Sequence, residues 1–206
     1  MDSVEKDITS LQEKMWMKPD YRHYSAGQKY ADNIISQLNI KEGDHVLDIG
    51  CGTGKLAKEL ISAGAFVHGI DIAENCLDKD LEERSNFYFS RETIWQMGAR
   101  VDKSDYVVCT NVLEHVPQNL IHASLFQINS RMKTGGFFSC SVELDDLGPK
   151  HLGINLHKTV MSGRWWADQF NRYWDTSWDV KDNELVAYVK VRKDIGDEEW
   201  KRPTRD

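Results

Sequence analysis

The sequence predicts a three-layer α/β fold, a mostly parallel sheet covered by helices on both faces, with an antiparallel hairpin at its C-terminal end. Three observations support this prediction. Short apolar runs alternate with stretches of helical periodicity between residues 25 and 142. The glycine-rich turn 50–54 follows the first apolar run and opens a helix. The last two apolar runs are joined only by residues 181–183, and so short a link favours an antiparallel pair.

Helices are expected where apolar residues recur every three or four positions. They cover residues 25–38, 53–63 and 73–81, and a longer stretch from 117 to the glycine pair at 135–136. Ser25 suits the cap of the first helix, and Pro117 suits the first turn of the last. The apolar stripe of that long helix consists of Ile121, Leu125, Ile128 and Met132.

Strands are expected over the short apolar runs. They cover residues 45–49, 66–70, 87–89, 106–109 and 137–142, with the hairpin over 175–180 and 184–191. Before the hairpin, Trp166, Phe170 and Trp174 recur every four residues. This spacing favours one core-facing helical stripe over an aromatic cage for a substrate.

Length and composition indicate one globular domain. The chain has 206 residues, 40% of them hydrophobic, and no apolar run approaches the roughly 20 residues that span a bilayer. We assign residues 21–192 to the domain, 1–20 to an N-terminal helical extension and 193–206 to a polar tail. Residues 144–166, which include Asp146 and His151, are expected to form a lid over the acceptor.

Charge and cysteine usage narrow the partners and the compartment. The formal net charge of −7 gives no global basic field, which disfavours nucleic acid as a partner. The cysteines are scattered and form no CxxC pair; they are Cys51, Cys76, Cys109 and Cys140. Reduced core cysteines in a cytoplasmic protein are therefore expected, whereas a disulfide framework or a zinc knuckle is not. The sequence does not indicate the oligomeric state.

The glycine-rich turn predicts a binding site for a nucleoside ligand. Glycines permit a sharp bend and a close approach of the ligand to the main chain, and an acid, Asp71, ends the second strand 17 positions after Gly54. An acid at that place accepts hydrogen bonds from ribose hydroxyls in doubly wound folds. The glycine spacing is GxGxG and not GxGxxG, and Asp48 would repel a pyrophosphate. A ligand that carries an ammonium group fits better.

Three stretches carry a resemblance to a known family. VLDIGCGTG at 46–54, GIDIA at 69–73 and NVLEHVP at 111–117 resemble motifs of class I S-adenosylmethionine-dependent methyltransferases. The resemblance covers about residues 20–192 and implies a Rossmann-like methyltransferase fold with S-adenosyl-L-methionine as cofactor.

The resemblance also implies a set of cofactor-binding residues. Gly50 to Gly54 pass beneath the methionine part, Asp71 holds the ribose and Ile72 packs on adenine. Asn111 and Leu113 border the methyl-donor end, and Tyr21 or Arg22 bonds the methionine carboxylate; the alternative for these two is a surface turn. The full set is Tyr21, Arg22, Asp48, Gly50, Cys51, Gly52, Gly54, Asp71, Ile72, Glu92, Asn111 and Leu113.

Candidate catalytic residues follow the fourth strand and lie in the predicted lid. The methyl group of a sulfonium is already activated, so the protein mainly aligns the nucleophile with it, and a hydroxyl acceptor benefits from a base. Glu114 and His115 lie where open α/β sheets bind ligands. His157 is the preferred base, because a polar side chain among apolar neighbours needs a partner. The alternatives are a loop-ordering role for His115 and a satisfied core histidine at 157.

The acceptor stays open at the level of the sequence. A small molecule or a glycan methylated at oxygen is the main expectation, and ubiquinone-type O-methyltransferases share the VLEHVP stretch. Metal-assisted RNA 2′-O-methyltransferases share a Glu-x-x-Glu-His pattern and a downstream histidine, but here Asn111 replaces the first acid, so no metal site is predicted. A non-enzymatic binding module that keeps the fold is the third possibility.

Overall fold

The computed structural model describes residues 3–25, 27–145 and 155–191. Part of the predicted lid, with Asp146 and His151, and the predicted tail lie outside these residues. The helices are α1 (Ser3–Trp16), α2 (Pro19–His23), α3 (Gly27–Leu38), α4 (Lys55–Ser62), α5 (Ile121–Ser130) and α6 (Gly163–Phe170). The strands are β1 (His45–Ile49), β2 (Phe66–Asp71), β3 (Phe87–Arg91), β4 (Ser104–Thr110), β5 (Met132–Glu143), β6 (Trp174–Lys181) and β7 (Glu184–Val191).

One seven-stranded sheet organises the molecule, in the order β3-β2-β1-β4-β5-β7-β6. The first five strands are parallel, and β7 pairs antiparallel with both β5 and β6. The strand order reverses between β1 and β4, which is the place where ligands bind in such sheets. The predicted α/β architecture with a C-terminal antiparallel pair is therefore confirmed.

Two apolar cores cover the two faces of the sheet, because neighbouring residues of a strand point to opposite sides. Val46 and Val108 pack in a core with α3 and α4, whereas Leu47 and Val107 pack in a core with α5 and α6. The predicted aromatic stripe is confirmed as part of the second core, since Trp166, Phe170 and Trp174 are fully buried. Trp174, however, belongs to β6.

Two predicted helix boundaries are wrong. Residues 73–81 form a helix only as one 3₁₀ turn, Lys79–Leu81, because Arg22 takes the carbonyl groups of Asn75 and Leu77 that a helix would use. The helix expected to reach 135–136 ends at Ser130. Met132 instead pairs with Ser104 at the start of β5, so strand pairing overrides the helical spacing.

Two smaller details of the chain also differ from what the sequence predicted. Helix α3 begins at Gly27, two residues after the predicted cap Ser25, whose hydroxyl accepts the Thr53 N–H at 3.3 Å. The hairpin loop has two residues, Asp182 and Asn183, both with positive φ as a type I′ turn requires. Helix α1, with its 14 residues, lies within the predicted N-terminal helical extension.

The four cysteines are free and buried, as expected of core thiols. No helix among the described residues is long and apolar enough to cross a bilayer. 

Candidate active site

The glycine turn between β1 and α4 has a backbone that only glycine adopts without strain. Gly50, Gly52 and Gly54 have φ values of 67°, 53° and 81°. A Cβ at Gly52 would lie 2.9 Å from the Trp16 ring and 3.0 Å from the Ser25 hydroxyl. The N–H groups of Gly50 and Cys51 both donate to the Ile70 carbonyl, which fixes the turn against β2.

Asp71 ties this turn to the end of β2. One carboxylate oxygen accepts the Gly52 N–H at 3.1 Å, and the other accepts the Ala73 N–H at 3.0 Å. Burial raises the pKa of Asp71 to about 6, although these two hydrogen bonds lower it. Each oxygen retains a lone pair for a ribose hydroxyl.

Asp48 is a buried acid without a partner for one of its oxygens. The residue is 1% exposed, and its Oδ2 has no hydrogen bond. Burial, and then the charge of Asp71, raise the pKa of Asp48 to about 7. A buried acceptor of this kind needs a cationic or hydrogen-donating ligand, as the sequence predicted for an ammonium group.

A cavity of about 450 Å³ brings most of the predicted residues together at the carboxyl ends of the strands. Such a volume is typical of small-molecule sites. The predicted residues that line it are Tyr21, Asp48, Gly50, Cys51, Gly52, Asp71, Ile72, Glu92, Asn111, His115 and His157. Four others do not line it: Arg22, Gly54, Leu113 and Glu114.

These four residues support the cavity from outside. Arg22 binds the Asp78 carboxylate at 2.7 Å, so its guanidinium already has an anionic partner. Gly54 caps α4, while Leu113 and Glu114 are fully buried in a 3₁₀ turn after β4. Among the predicted carboxylate ligands, only Tyr21 faces the cavity; burial raises the pKa of its hydroxyl.

Glu92 and Asn111 line the cavity from the loops after β3 and β4. The Glu92 carboxylate accepts the Gly98 N–H at 2.9 Å, which closes the loop after β3. Asn111 has a φ of 53°, and its amide donates to Glu143 Oε1 at 2.9 Å. Glu143, at the end of β5, therefore reaches the same end of the cavity.

Two histidines meet at this end of the cavity. The ring centroids of His115 and His157 are 4.9 Å apart. In each ring Nδ1 faces a backbone carbonyl, Leu156 for His115 (3.2 Å) and Asp145 for His157 (2.7 Å). We assign the proton to Nδ1, because a carbonyl only accepts, and this leaves the Nε2 lone pair of each neutral ring available.

Acidic groups surround these lone pairs. Glu143 Oε2 lies 3.5 Å from His157 Nε2. Glu114 Oε1 accepts the Glu143 N–H, but its buried Oε2 has no partner, and burial raises the pKa of Glu114 to about 8. Burial, and then His157, lower the pKa of His115 to about 4. Ligand atoms of Glu114, His115 and His157 all lie within 4.8 Å of one another, a spacing that suits a metal ion.

A family model described as "Methyltransferase domain" matches residues 21–185. The chain belongs to this methyltransferase family. The predicted enzyme class and the predicted cofactor, S-adenosylmethionine, are thereby confirmed.

Curated relatives align with about half of this methyltransferase. A ubiquinone biosynthesis O-methyltransferase from Coxiella burnetii is 35% identical over 105 residues, which are 49% of this chain and 43% of the relative. One from Hydrogenovibrio crunogenus is 37% identical over 117 residues, 52% of this chain and 46% of the relative. The matches thus span less than half of the length of either relative.

Solved structures share the fold. The N-methyltransferase NodS from Bradyrhizobium japonicum, in complex with S-adenosylhomocysteine, gives a TM-score of 0.69 at 13% identity and covers 90% of this chain and 99% of its own. The 1,6-didemethyltoxoflavin-N1-methyltransferase from Burkholderia thailandensis, bound to its named substrate and S-adenosylhomocysteine, gives 0.69 at 16% identity, with coverage of 92% and 88%.

Sequence reasoning missed several residues that line the methyltransferase cavity. Ile8, Gln12 and Trp16 come from α1, and Glu143 ends β5. An acid directly after a buried strand was a signal for Glu143, since Asp71 was found in the same way. No motif marks the α1 residues, because their role depends on how the helix folds back over the turn.

Gly52→Ala should weaken binding of S-adenosylhomocysteine at least about tenfold. The new Cβ meets Trp16 and Ser25 at a φ that disfavours it, so the turn must shift. Isothermal calorimetry measures the affinity. Gly43→Ala is the matched control, because Gly43 also has positive φ but no atom within 4 Å of the added Cβ. Equal affinities for the two variants would contradict a role of the glycine turn in binding the cofactor.

Because Asp48 is buried, the free energy of unfolding of the ligand-free methyltransferase should fall as the pH rises. The pKa of Asp48, about 7 in the folded chain, exceeds the 3.8 of an unperturbed aspartate. Between these values the folded chain keeps a proton that the unfolded chain has lost, so unfolding becomes easier as the pH rises through this window. Between pH 4 and 8 the ionisation of Asp48 should lower the free energy of unfolding by up to about 4 kcal/mol. The Asp48→Asn variant cannot ionise at this position and should not show this loss.

Urea unfolding at both pH values tests this expectation for Asp48. Asp32→Asn, a substitution on the exposed side of α3, is the control and should follow the wild type. If Asp48→Asn showed the same pH dependence as the wild type, Asp48 would be ionised at no cost in the folded state.

Proposed function

We propose that this methyltransferase transfers the methyl group of S-adenosylmethionine to an oxygen atom of a small-molecule or glycan acceptor, with His157 as the general base. The observation that carries the proposal is the pair of cavity-lining imidazoles, whose Nδ1 atoms are both engaged by backbone carbonyls. Their Nε2 lone pairs are therefore available to a hydroxyl hydrogen.

The reaction is a direct displacement. The acceptor oxygen attacks the methyl carbon, the carbon–sulfur bond breaks, and S-adenosylhomocysteine leaves. The hydroxyl proton moves to His157 Nε2. Glu143 Oε2, 3.5 Å from that atom, stabilises the resulting imidazolium, and the lowered pKa of His115 keeps the second ring neutral beside it.

The lining supports an acceptor of modest size without multiple negative charges. Ile94, Trp95, Val112 and Val116 give the cavity apolar surface. Its described lining contains four carboxylates and no lysine or arginine, which disfavours a polyanion. The name of the curated relatives, ubiquinone biosynthesis O-methyltransferase, supports oxygen as the methylated atom.

The proposal places the reaction in the cytoplasm. All four cysteines are free, as in a reducing compartment.

The proposal also includes three contacts with the cofactor. Asp71 accepts hydrogen bonds from the ribose hydroxyls, Asp48 binds the ammonium group, and Tyr21 donates to the methionine carboxylate. 

A second candidate is metal-assisted methyl transfer to an RNA 2′-hydroxyl. The cluster of Glu114, His115 and His157 favours it, since the orphaned Glu114 oxygen and the two imidazoles are suitable donors for a divalent ion. These three residues would hold the ion, which would polarise the acceptor oxygen. The formal net charge of −7 and the acidic lining disfavour RNA.

The two candidates differ in their response to chelation. The general-base mechanism predicts full turnover after treatment with EDTA and exchange into metal-free buffer. If turnover on an RNA 3′ end were lost on chelation and restored by Mn²⁺ or Mg²⁺, the metal-assisted candidate would replace the general-base mechanism.

His157→Asn should lower kcat at least about 100-fold and leave the affinity for S-adenosylhomocysteine within about twofold. The measurement follows tritiated methyl groups from S-adenosylmethionine into a panel of catechols, phenols and sugars. His45→Asn is the matched control, because His45 is exposed at the opposite end of β1. Unchanged kcat in His157→Asn would remove the base role, and cofactor binding without transfer to any acceptor would favour a non-enzymatic module.

A further inference from the structure

Helix α1 lies outside the part of the chain that matches the methyltransferase family, which begins at residue 21. It nevertheless forms one wall of the cavity, through Ile8, Gln12 and Trp16. Residues on one side of a helix recur every three to four positions, so these three share a face. An element outside the family domain therefore borders the site directly.

The last turn of α1 lies against the glycine turn. A Cβ placed on Gly52 would be 2.9 Å from the Trp16 ring, so the ring covers this glycine. The Tyr21 ring packs on Trp16 edge to face, with centroids 4.8 Å apart. Arg22 also donates to the Trp16 carbonyl and binds Asp78, which holds this corner in place.

Three distant segments meet in a small apolar cluster beneath α1, which we call the cap cluster. Its buried members are Met15, Trp16, Tyr21, Ala73, Cys76 and Leu156. Met15 is fully buried and Leu156 is 4% exposed. Ala73 follows the ribose-site acid Asp71, and Leu156 precedes His157, so the cluster joins the cofactor side of the cavity to the histidine side.

Leu156 has a second contact through its backbone. Its carbonyl accepts the hydrogen bond from His115 Nδ1 at 3.2 Å, which selects the tautomer of that ring. Beyond His157, the N–H groups of Lys158 and Thr159 donate to the Glu114 carbonyl at 2.7 and 3.0 Å. The position of Leu156 thus determines where the His115 ring lies, and His157 follows Leu156 directly in the chain.

We propose that α1 completes the active site and that Leu156 is the positioning residue through which the cap cluster holds the His115–His157 pair. The side chain of Leu156 is fixed by the cluster, and its carbonyl fixes His115. The catalytic meaning of the pair rests on the proposed function, whereas the coupling does not. Cofactor bound beneath Trp16 should therefore tighten residues 156–159.

The test compares two methionines of the same segment in the full-length protein. Met15→Ala removes a fully buried side chain that does not line the cavity, whereas Met17→Ala removes one that is 75% exposed. Hydrogen exchange of the Lys158 and Thr159 amides is measured with and without saturating S-adenosylhomocysteine. Long-range ¹H–¹⁵N spectra report the tautomer of His115.

In the wild type and in Met17→Ala, S-adenosylhomocysteine should slow exchange of these two amides, and His115 should carry its proton on Nδ1. In Met15→Ala exchange should be at least about tenfold faster, the slowing by ligand should be lost, and His115 should become a mixture of tautomers. The amides of β4 should exchange as in the wild type, which separates local loosening from global unfolding.

Leu156→Ala and Leu156→Met keep the proposal testable if Met15→Ala fails to fold. Leu156→Ala should reproduce the loosened state, and Leu156→Met, which conserves volume, should restore the tautomer and the slow exchange. Wild-type tautomer and exchange in both Met15→Ala and Leu156→Ala would overturn the proposal. None of these measurements needs turnover, so an incorrect acceptor or an inactive protein leaves their outcome unaffected.

Discussion

A hydrogen bond from the Gly52 N–H to the carboxylate of Asp71 holds together the two sequence motifs from which the proposed cofactor site is built. It can form only because the turn after β1 takes left-handed backbone angles, which bring the main chain up to the end of β2. The switch of strand order between β1 and β4 then opens the cavity beside this bond. The wall formed by α1 and the histidine pair are arranged around that opening.

The described lining of the cavity contains four carboxylates and no lysine or arginine. Asp48 and Asp71 are buried beside each other, Glu92 and Glu143 line the same space, and the nearby Arg22 is paired with Asp78. Burial without a compensating cation raises the pKa of both aspartates. With the cofactor contacts proposed above, a sulfonium ligand with an ammonium group supplies positive charge that this cavity lacks.

The sequence predicted the fold, the enzyme class and the cofactor, because all three depend on local patterns. Alternating apolar runs determine the strands, and the glycines at 50, 52 and 54 with Asp71 need only short-range geometry. The errors arose where distant contacts decide the local structure. Arg22 prevents a helix at residues 73–81 by binding carbonyl groups more than 50 residues away, and Met132 leaves its helix to pair with Ser104.

The acceptor side was less predictable for the same reason. His115 and His157 were singled out from the sequence, but their shared arrangement depends on the Leu156 and Asp145 carbonyls. Glu143 gained a role only when the structure placed it beside Asn111 and His157. Such groupings depend on side-chain orientation at the ends of β4 and β5 and in the segment around His157, and no spacing along the chain encodes them.

The partnerless oxygen of Asp48 has a consequence for how the cofactor is captured. An acid with a pKa of about 7 is only partly ionised near neutrality, and an arriving ammonium group favours its charged form. The proposed contact between Asp48 and the ammonium group therefore entails release of a proton into the solvent, and the heat of association then depends on the ionisation enthalpy of the buffer. In this proposal, the ammonium group of the ligand replaces the proton of Asp48.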